Sequence, residues 1–588
     1  MKGFFKIVFA SMVGFILSAI VLGILFIAIV VGIVSATDGE KVTVSPNSVI
    51  HMSLNDQIVE RTSKSPFDEL ELTGLQTNKN MGLNDILLAL KRAQTDDNIK
   101  GIYLDVSGVQ AGMATVEEIR NALIDFKKSK KFILAYSEVY TQGAYYLASV
   151  ADKVYINPEG ILEFTGFSSQ VTFFKGTMEK LEIEPQIIKV GTYKSAVEPF
   201  ILDKMSDANR QQVTSFVGSM YDHFLTRISA ARSISKDSLF AIANQLKVRN
   251  ASDAVKLKLV DGLRYKDQVI DELKKRTGTD KKDDVKAVSL AGYIKNNKAE
   301  DGDINNRIAV VYASGEITGG EGDDETIGSE RISRTIRKVR TDDKIKAVVF
   351  RVNSPGGSAL ASDVIWREIA LTRKVKPVIV SMGDVAASGG YYIACAADSI
   401  FAEPNTITGS IGVFGIIPNM QKFFNNKLGI TFDGVKTAEH ADLGTVTRPL
   451  TDAERLIIQA EVNRIYGTFT KRVSDGRKKT QEYINQIGQG RVWSGSEALK
   501  NGLVDRLGDI DDAVVSAAKM AKLTDYKLVS YPTQKDPLES IFNTGEDKLK
   551  EHFTKMQLGE QYQYYKQLKD GLRFTGIQAR LPYNITIK

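Results

Sequence analysis

Cysteine and histidine are both scarce in this sequence. Cys395 is the single cysteine among 588 residues, so an intrachain disulfide cannot form and a cysteine-based zinc site is not expected. The four histidines are scattered and show no metal-ligand spacing such as H-E-x-x-H; they are His51, His223, His440 and His552. We therefore predict no metal centre, and we expect the protein to work without a cofactor.

Strongly basic blocks and phosphate-binding loops are also absent. The net charge is +6, from 77 Lys and Arg against 71 Asp and Glu, without a long basic run, so nucleic acid is not an expected partner. No Walker A sequence is present, and the glycines of GSIGVFG (409–415) do not have the spacing of a dinucleotide fingerprint. Hydrophobic residues make up 43% of the chain, which is ample for globular cores.

One long apolar run lies near the N-terminus. Residues 7–36 carry no charge, and about 20 apolar residues cross a bilayer, whereas the apolar core of a signal peptide has roughly 7–15. We predict a retained transmembrane anchor over residues 7–36. The alternative is a cleaved signal peptide, because Val34-Ser35-Ala36 resembles a cleavage site.

The charges that flank this run predict its orientation. Lys2 and Lys6 precede it, and Asp38 and Glu40 follow it. By the positive-inside rule, residues 1–6 stay in the cytoplasm and the rest of the chain is exported. We therefore expect a single-pass protein of the inner (cytoplasmic) membrane, with its domains on the periplasmic or extracytoplasmic side.

The rest of the chain contains a duplication. Residues 95–152 align without a gap to residues 341–398: TDDNIKGIYLDV matches TDDKIKAVVFRV, and GAYYLASVAD matches GGYYIACAAD. We interpret this repeat as two homologous domains. The expected divisions are an N-terminal domain over 47–294, a linker at 295–306, a C-terminal domain over 307–535 and a helical tail over 536–588, which either is solvated or packs between subunits.

Each copy alternates strand and helix patterns. The second copy shows the order most clearly, with strands at 308–317, 346–352 and 376–382, and helices at 332–342, at about 359–372 and from near Ser388. Apolar strands that alternate with helices indicate βαβ units with right-handed crossovers. The predicted fold class is therefore α/β.

The two copies differ at positions suited to catalysis. Ser388 of the second copy aligns with Gln142, Ser354-Pro355-Gly356-Gly357 with Gly108-Val109-Gln110-Ala111, and Ser410 with Phe164. A serine followed by a helix, close to a Gly-Gly turn, suits acyl transfer, in which backbone amides stabilise an oxyanion. The alternative is that Ser388 caps a helix and the glycines form a turn.

A serine nucleophile needs a base. His440 lies nearest among the histidines but has no partner pattern of a triad, so we expect an ordinary structural role for it. Lys194 lies in VGTYKSAVEPF (190–200) of the first copy, among apolar residues, and Ala441 replaces it in the second copy. Burial would lower the pKa of this lysine and let it act as a base; the alternative is a solvated lysine.

These features together resemble the signal peptide peptidase A family, also called protease IV, in its long form. The anchor, the duplication, GTYKSAVEPF and GDVAASGGYY carry the resemblance. It implies a Ser/Lys dyad of Ser388 as nucleophile and Lys194 as base, with Ser410 as a third residue that helps to place the lysine. It also implies an oxyanion hole from the amides of Gly389 and of Gly356 or Gly357.

The resemblance carries further expectations. It implies two tandem ClpP/crotonase-like domains of spiral βαβ units, assembly into a membrane-tethered homotetramer, and remnant signal peptides as substrates. Two rival functions remain: a crotonase-like enzyme acting on a thioester, and a non-catalytic membrane scaffold of the same fold. Whether Lys194 and Ser388 pair within one chain or between chains stays open at the level of sequence.

Overall fold

The computed structural model describes most of the chain. Its described residues are 2–37, 43–62, 80–295, 305–534, 554, 557–562, 565, 566, 569 and 577–581. The expected linker at 295–306 and the expected helical tail over 536–588 therefore lie largely outside the described residues.

The N-terminal run forms one helix, α1 (Lys2–Thr37). Its segment Lys6–Gly23 has a mean hydropathy of 2.1 and is not buried against the protein. Within the described ranges, α1 alone is long and apolar enough to cross a membrane. The segment predicted as an anchor, residues 7–36, lies entirely within this helix.

The first copy is built on a six-stranded sheet. Its elements are β1 (Ser48–Met52), β2 (Gln57–Val59), β3 (Asn80–Gly82), α2 (Leu83–Thr95), β4 (Ile99–Leu104), α3 (Met113–Lys127), β5 (Phe132–Tyr140), α4 (Gln142–Ala148), β6 (Lys153–Leu162), α5 (Lys175–Leu181), β7 (Glu184–Val190), α6 (Glu198–Ile201), α7 (Asp207–Arg232), α8 (Lys236–Asn244), α9 (Ala251–Lys256), β8 (Gly262–Leu263), α10 (Lys266–Thr277), β9 (Ala287–Ser289) and α11 (Leu290–Lys295). The sheet order is β8-β6-β5-β4-β1-β9, and every pair in it is parallel.

The second copy repeats this arrangement. Its elements are β10 (Arg307–Ser314), β11 (Glu316–Thr318), β12 (Thr326–Gly328), α12 (Ser329–Thr341), β13 (Ile345–Ser354), β14 (Gly356–Ser358), α13 (Ala359–Thr372), β15 (Val378–Ala387), α14 (Gly389–Ala394), β16 (Ser399–Ala402), β17 (Ile407–Gly409), β18 (Val413–Asn419), α15 (Asp452–Arg477), α16 (Gln481–Ile487), β19 (Val492–Ser494), α17 (Gly495–Lys500), β20 (Arg506–Leu507), α18 (Ile510–Met520) and β21 (Lys527–Tyr531), followed in the tail by β22 (Ile577–Arg580). Its main sheet runs β19-β17-β15-β13-β10-β21, and β16 and β20 extend it beside β15.

The two main sheets correspond strand for strand. The order β9-β1-β4-β5-β6-β8 in the first copy matches β21-β10-β13-β15-β16-β20 in the second. Helices cover these parallel strands, so their central residues are buried on both faces, as the continuous apolar runs predicted. The α/β class, the duplication and the predicted helix at 359–372 are confirmed.

A third sheet joins the two copies. Its order is β12-β11-β14-β22-β18-β7, so it contains a strand of the first copy and a strand of the tail. β7 pairs antiparallel with β18 over seven residue pairs, from Glu184 opposite Asn419 to Val190 opposite Val413. Because of this pairing, the segment that follows β7, which includes Lys194, lies against the second copy.

A buried ion cluster also connects the copies. Arg351, on β13, is fully buried, and it donates from Nε to Glu60 at 2.8 Å and from Nη2 to Glu118 at 2.6 Å. Both carboxylates belong to the first copy and are almost fully buried. Nearby, the Asp384 carboxylate accepts hydrogen bonds from the backbone N and the hydroxyl of Thr115, at the start of α3. These contacts link buried polar groups of the two copies, while Glu118 Oε2 stays buried without a hydrogen-bond partner.

We expect Arg351→Met to lower the free energy of unfolding by about 3–5 kcal/mol, because it leaves two buried carboxylates without their cation. The matched control is Arg334→Met, which breaks the exposed pair with Glu321 and should leave the unfolding midpoint unchanged because water screens that pair. Urea unfolding followed by circular dichroism measures both. Equal midpoints for the two variants would show that the cluster does not hold the copies together.

Candidate active site

Ser388 occupies a strained turn between β15 and α14. Its φ of +54° is rare for a residue with a side chain, and such a conformation persists only where the surroundings impose it. Its backbone N donates to the Gly409 carbonyl at 2.8 Å, which ties the turn to the end of β17. The side chain is fully buried at the start of the helix, in the position that the sequence predicted.

The structure brings Lys194, Ser388 and Ser410 together within one chain. Lys194 Nζ lies 2.9 Å from Ser388 Oγ, 3.1 Å from Ser410 Oγ and 3.3 Å from the Ser410 carbonyl oxygen. Ser388 Oγ also lies 3.4 Å from the Gly412 carbonyl oxygen, to which it can donate. The first copy therefore supplies an amine directly to a hydroxyl of the second copy.

The surroundings of Lys194 favour its uncharged form. The side chain is fully buried, with Nζ 5.8 Å from the centre of the Phe414 ring. Among the residues that the structure describes, no carboxylate forms an ion pair with it. Because burial penalises the ammonium form, the pKa of Lys194 is lowered well below its usual value. An amine in this state can accept a proton from the hydroxyl beside it.

Glycines make room for the Lys194 chain. Gly490 has a φ of +79°, and a Cβ at this position would stand 2.7 Å from the backbone N and Cα of Lys194. A Cβ on Gly412 would stand 3.1 Å from Lys194 Cδ. Hydrogen bonds from Tyr193 N to Gln489 O and from Gly490 N to Ile411 O hold these segments together. The lysine is thus enclosed by backbone of the second copy on more than one side.

Sequence reasoning did not find the polar support behind Lys194. The Gln212 amide nitrogen donates to Ser195 Oγ at 2.9 Å and to the Tyr193 carbonyl at 3.1 Å. Its oxygen accepts from Val492 N at 3.1 Å, so one side chain of α7 connects the lysine segment to β19. A single glutamine in a polar helix carries no sequence signal for this role.

Two of the three predicted oxyanion glycines meet at Ser388. A Cβ on Gly356 would stand 2.7 Å from Gly389 N, so the Gly-Gly turn approaches the start of α14 closely. Ser354 Oγ accepts from Gly356 N at 3.1 Å and donates to the Gly315 carbonyl at 2.6 Å, which braces the turn. Gly357 instead packs against the backbone of Ile317.

The equivalent position in the first copy is filled. Gln142 accepts from the backbone N of Thr165 and of Gly166, and donates to the Gly166 carbonyl at 3.0 Å. Phe164, which aligns with Ser410, is buried beside the rings of Tyr145 and Phe224. These side chains fill the first copy at the positions where the second has its hydroxyls.

His440, which we did not favour as the base, has a different partner. His440 Nδ1 lies 3.6 Å from the Glu454 carboxylate, and it has no hydrogen bond to Ser388. The described residues contain no group of three or more His, Cys, Asp or Glu side chains placed to hold a metal ion. The groups that meet at Ser388 are a hydroxyl and an amine.

The packing around Lys194 can be tested with Gly490→Ala. The added methyl group would displace Lys194, and we expect the rate at which Ser388 reacts with a fluorophosphonate to fall by about 10- to 100-fold. Gly444→Ala is the matched control, because Gly444 has a similar φ of +84° but open space around it. If both variants react equally slowly, backbone strain and not the position of the lysine explains the loss.

Comparison with known proteins bears directly on this site. The family model of Peptidase family S49 matches residues 125–280 and 370–524, one segment in each copy. Protease 4 of Salmonella typhi is 40% identical over 472 residues, which cover 79% of this chain and 76% of that protein. Protease 4 of Haemophilus influenzae is 35% identical over 511 residues, which cover 84% and 83% of the two chains.

More distant matches include a chloroplast protein and a solved structure. The chloroplastic serine protease SPPA of Arabidopsis thaliana is 33% identical over 508 residues, which cover 85% of this chain and 73% of that protein. A ClpP1 mutant from Listeria monocytogenes is 18% identical, with a TM-score of 0.24 over 35% of this chain and 94% of that chain. That overlap supports no conclusion, so the ClpP/crotonase-like class stays a prediction. The two matched segments and the extended similarity to proteases show that the chain belongs to peptidase family S49 and is a serine peptidase.

Proposed function

We propose that the chain is a membrane-anchored serine endopeptidase with a Ser388/Lys194 dyad, and that it degrades signal peptides left in the membrane after preprotein cleavage. The observation that supports the dyad is the 2.9 Å contact of Lys194 Nζ with Ser388 Oγ, at a place where the lysine is fully buried. A serine peptidase needs a base beside its nucleophile, and this amine occupies that position.

The proposed reaction has two halves. Neutral Lys194 accepts the Ser388 proton while Ser388 Oγ bonds to the substrate carbonyl carbon, and the carbonyl electrons move onto oxygen. The C–N bond then breaks, and the leaving amine takes the proton from Lys194. In the second half a water molecule gives its proton to Lys194 and attacks the ester, which frees the acid and returns the proton to Ser388.

The remaining predicted residues have supporting roles in this scheme. The amide of Gly389, together with that of Gly356 or Gly357, would stabilise the oxyanion, and each such donor contributes about 3 kcal/mol to lowering the barrier. The Gly356 amide donates to Ser354 Oγ at 3.1 Å and would have to leave it to take this role. Ser410 accepts from Lys194 and holds the amine toward Ser388. Ser410 is therefore a positioning residue, whereas Ser388 and Lys194 exchange the proton.

The anchor supports the proposed substrate and location. α1 would hold the two domains beside the bilayer, on the extracytoplasmic side of the inner membrane by the charges that flank it. A peptidase tethered there meets hydrophobic peptides that stay in the membrane after export. Assembly as a homotetramer with ClpP/crotonase-like domains belongs to the same proposal and rests on the family resemblance.

The two rival functions account for the site less completely than a peptidase does. A crotonase-like enzyme acting on a thioester would rely on backbone amides and would have no use for a buried amine against Ser388. A scaffold would gain nothing from burying an unpaired lysine, which destabilises a fold unless the amine is neutral. The peptidase uses both groups.

The dyad is tested by Ser388→Ala and Lys194→Met. Each should lower kcat for an internally quenched peptide by about 10⁴-fold or more, because the two groups act as a unit. Labelling of Ser388 by a fluorophosphonate should be lost in both variants. Lys180→Met, at an exposed lysine on α5, is the control and should behave as the wild type. Wild-type hydrolysis by Ser388→Ala would reject the proposal.

The pH dependence follows from the lowered pKa of Lys194. The base is the neutral amine, which is populated above the pKa, so kcat/KM should rise with pH and level off once the amine has lost its proton. Because burial lowers the pKa, the rise should be complete below the ordinary lysine value of about 10.4. A flat profile between about pH 5 and pH 10 would contradict a lysine base.

A further inference from the structure

The Gln212 side chain, on α7, contacts both residues that flank Lys194. Its amide nitrogen lies 3.1 Å from the Tyr193 carbonyl oxygen and 2.9 Å from Ser195 Oγ, and it can donate to both. Gln212 and Ser195 are buried, so water does not compete for these hydrogen bonds. One glutamine therefore holds the chain immediately before and immediately after the proposed base.

Tyr193 is held at both of its backbone polar groups. Its N donates to the Gln489 carbonyl at 2.9 Å, and its own carbonyl accepts from Gln212. Gln489 belongs to the second copy, whereas Gln212 belongs to the first. Because a lysine side chain has a flexible four-carbon stem, a backbone fixed from two sides determines where its amine can reach.

The partners of Gln212 define the orientation of its amide. A backbone N–H can only donate, and the Val492 N lies 3.1 Å from Gln212 Oε1. A backbone carbonyl can only accept, and that of Tyr193 faces the amide nitrogen. A glutamate of the same shape would place an acceptor against the Tyr193 carbonyl. The position therefore requires a side chain that carries a donor and an acceptor at its end.

Asn209 supports this amide from one turn earlier on α7, because residues three apart share a face of a helix. Asn209 Oδ1 lies 3.0 Å from Gln212 Nε2, so the two hydrogens of that nitrogen are shared among three acceptors. Asn209 Nδ2 in turn donates to the Glu198 carboxylate at 2.9 Å. All three side chains are buried, and they form a continuous chain of hydrogen bonds.

The Glu198 carboxylate ends this network at the start of α7. Besides Asn209, it accepts from Ser206 N at 3.2 Å and from Ser206 Oγ at 2.6 Å. Ser206 is the N-cap residue of α7, and the positive end of the helix dipole favours a carboxylate there. The network is therefore fixed at one end to the start of a long helix and at the other end to the second copy through Val492.

We propose that Gln212 is a positioning residue of the peptidase reaction: it fixes the segment 193–195 so that the Lys194 amine meets Ser388, and Asn209 and Glu198 hold the Gln212 amide for this role. A misplacement of the reacting groups by about 1 Å can cost about 100-fold in rate. Gln212 acts through Lys194 and not on the substrate. This inference rests on the proposed peptidase function.

Gln212→Met removes both polar atoms and keeps a similar volume. We expect kcat for an internally quenched peptide to fall by about 10- to 100-fold and KM to stay within about twofold of the wild type, because the side chain positions the base and does not bind substrate. The value of kcat is expressed per site that a fluorophosphonate labels at completion, so misfolded molecules are not counted. Gln211→Met is the matched control, since Gln211 is the adjacent residue of α7 and its exposed amide oxygen accepts from the Tyr193 hydroxyl. It should keep the wild-type kcat.

A merely structural role of the network predicts a different result. Loss of buried hydrogen bonds would then lower the unfolding midpoint and the number of labelled sites, but each remaining site would keep the wild-type kcat. That result for Gln212→Met would overturn the proposal. An equal fall of kcat in Gln211→Met would overturn it too, because the effect would then belong to the helix and not to the buried amide.

Gln212→Glu is a second variant, which decides the question if Gln212→Met does not fold. It keeps the shape of the side chain and the acceptor for Val492 N, but an ionised carboxylate beside the lysine segment favours the ammonium form of Lys194. The rise of kcat/KM with pH should therefore move to higher pH by about 1 unit. In the control Gln211→Glu the rise should stay at the wild-type position, because water screens an exposed charge. A wild-type kcat together with an unshifted profile in Gln212→Glu would contradict the proposal.

The two levels of the proposal fail separately. If Ser388→Ala or Lys194→Met still cleaves peptides at the wild-type rate, the proposed dyad is wrong whatever Gln212 does. If both of these variants are inactive but Gln212→Met keeps the wild-type kcat per labelled site, the dyad stands and only the positioning role of Gln212 is rejected.

Discussion

The burial of one amine without a counterion is the constraint on which the active site depends. Lys194 has no carboxylate to pair with in the part of the chain that the structure describes, and it lies against hydroxyls and backbone carbonyls. Such a group is tolerated in a protein interior only if it gives up its proton. Two glycines, the β7–β18 pairing and the Gln212 hydrogen bonds enclose the segment that carries Lys194 and hold the amine against Ser388.

The duplication explains how such an arrangement can be built. Two copies of one α/β unit present similar surfaces, and here their third sheet is shared, so the segment that follows β7 in the first copy reaches Ser388 of the second. Arg351 with Glu60 and Glu118 joins the copies by charges that neither copy could bury alone. Meanwhile Gln142 and Phe164 close the first copy where its own site would stand. The first copy therefore supplies Lys194 and its support, and the second copy supplies Ser388.

Much of the fold and of the candidate site could be predicted from the sequence. The features that were not predicted were missed for physical reasons. Apolar runs and internal alignment were sufficient for the α/β class, the duplication and the placement of Ser388, because these signals are local or repeated. The meeting of Lys194 with Ser388 was suggested by the complementary differences between the copies and by family resemblance, not by spacing. Gln212, Gly412 and Gly490 were not predicted, because their roles depend on segments far apart in sequence. β22 was not predicted either, since a short strand completed by other segments has no pattern of its own.

The order of the two halves along the chain has a consequence for biosynthesis. The ribosome completes the segment with Lys194 long before the segment with Ser388. A nascent chain that ends before Ser388 thus carries the Lys194 amine without its hydroxyl partner. The amine and the hydroxyl can meet only after both copies have been synthesised, because β7 of the first copy pairs with β18 of the second.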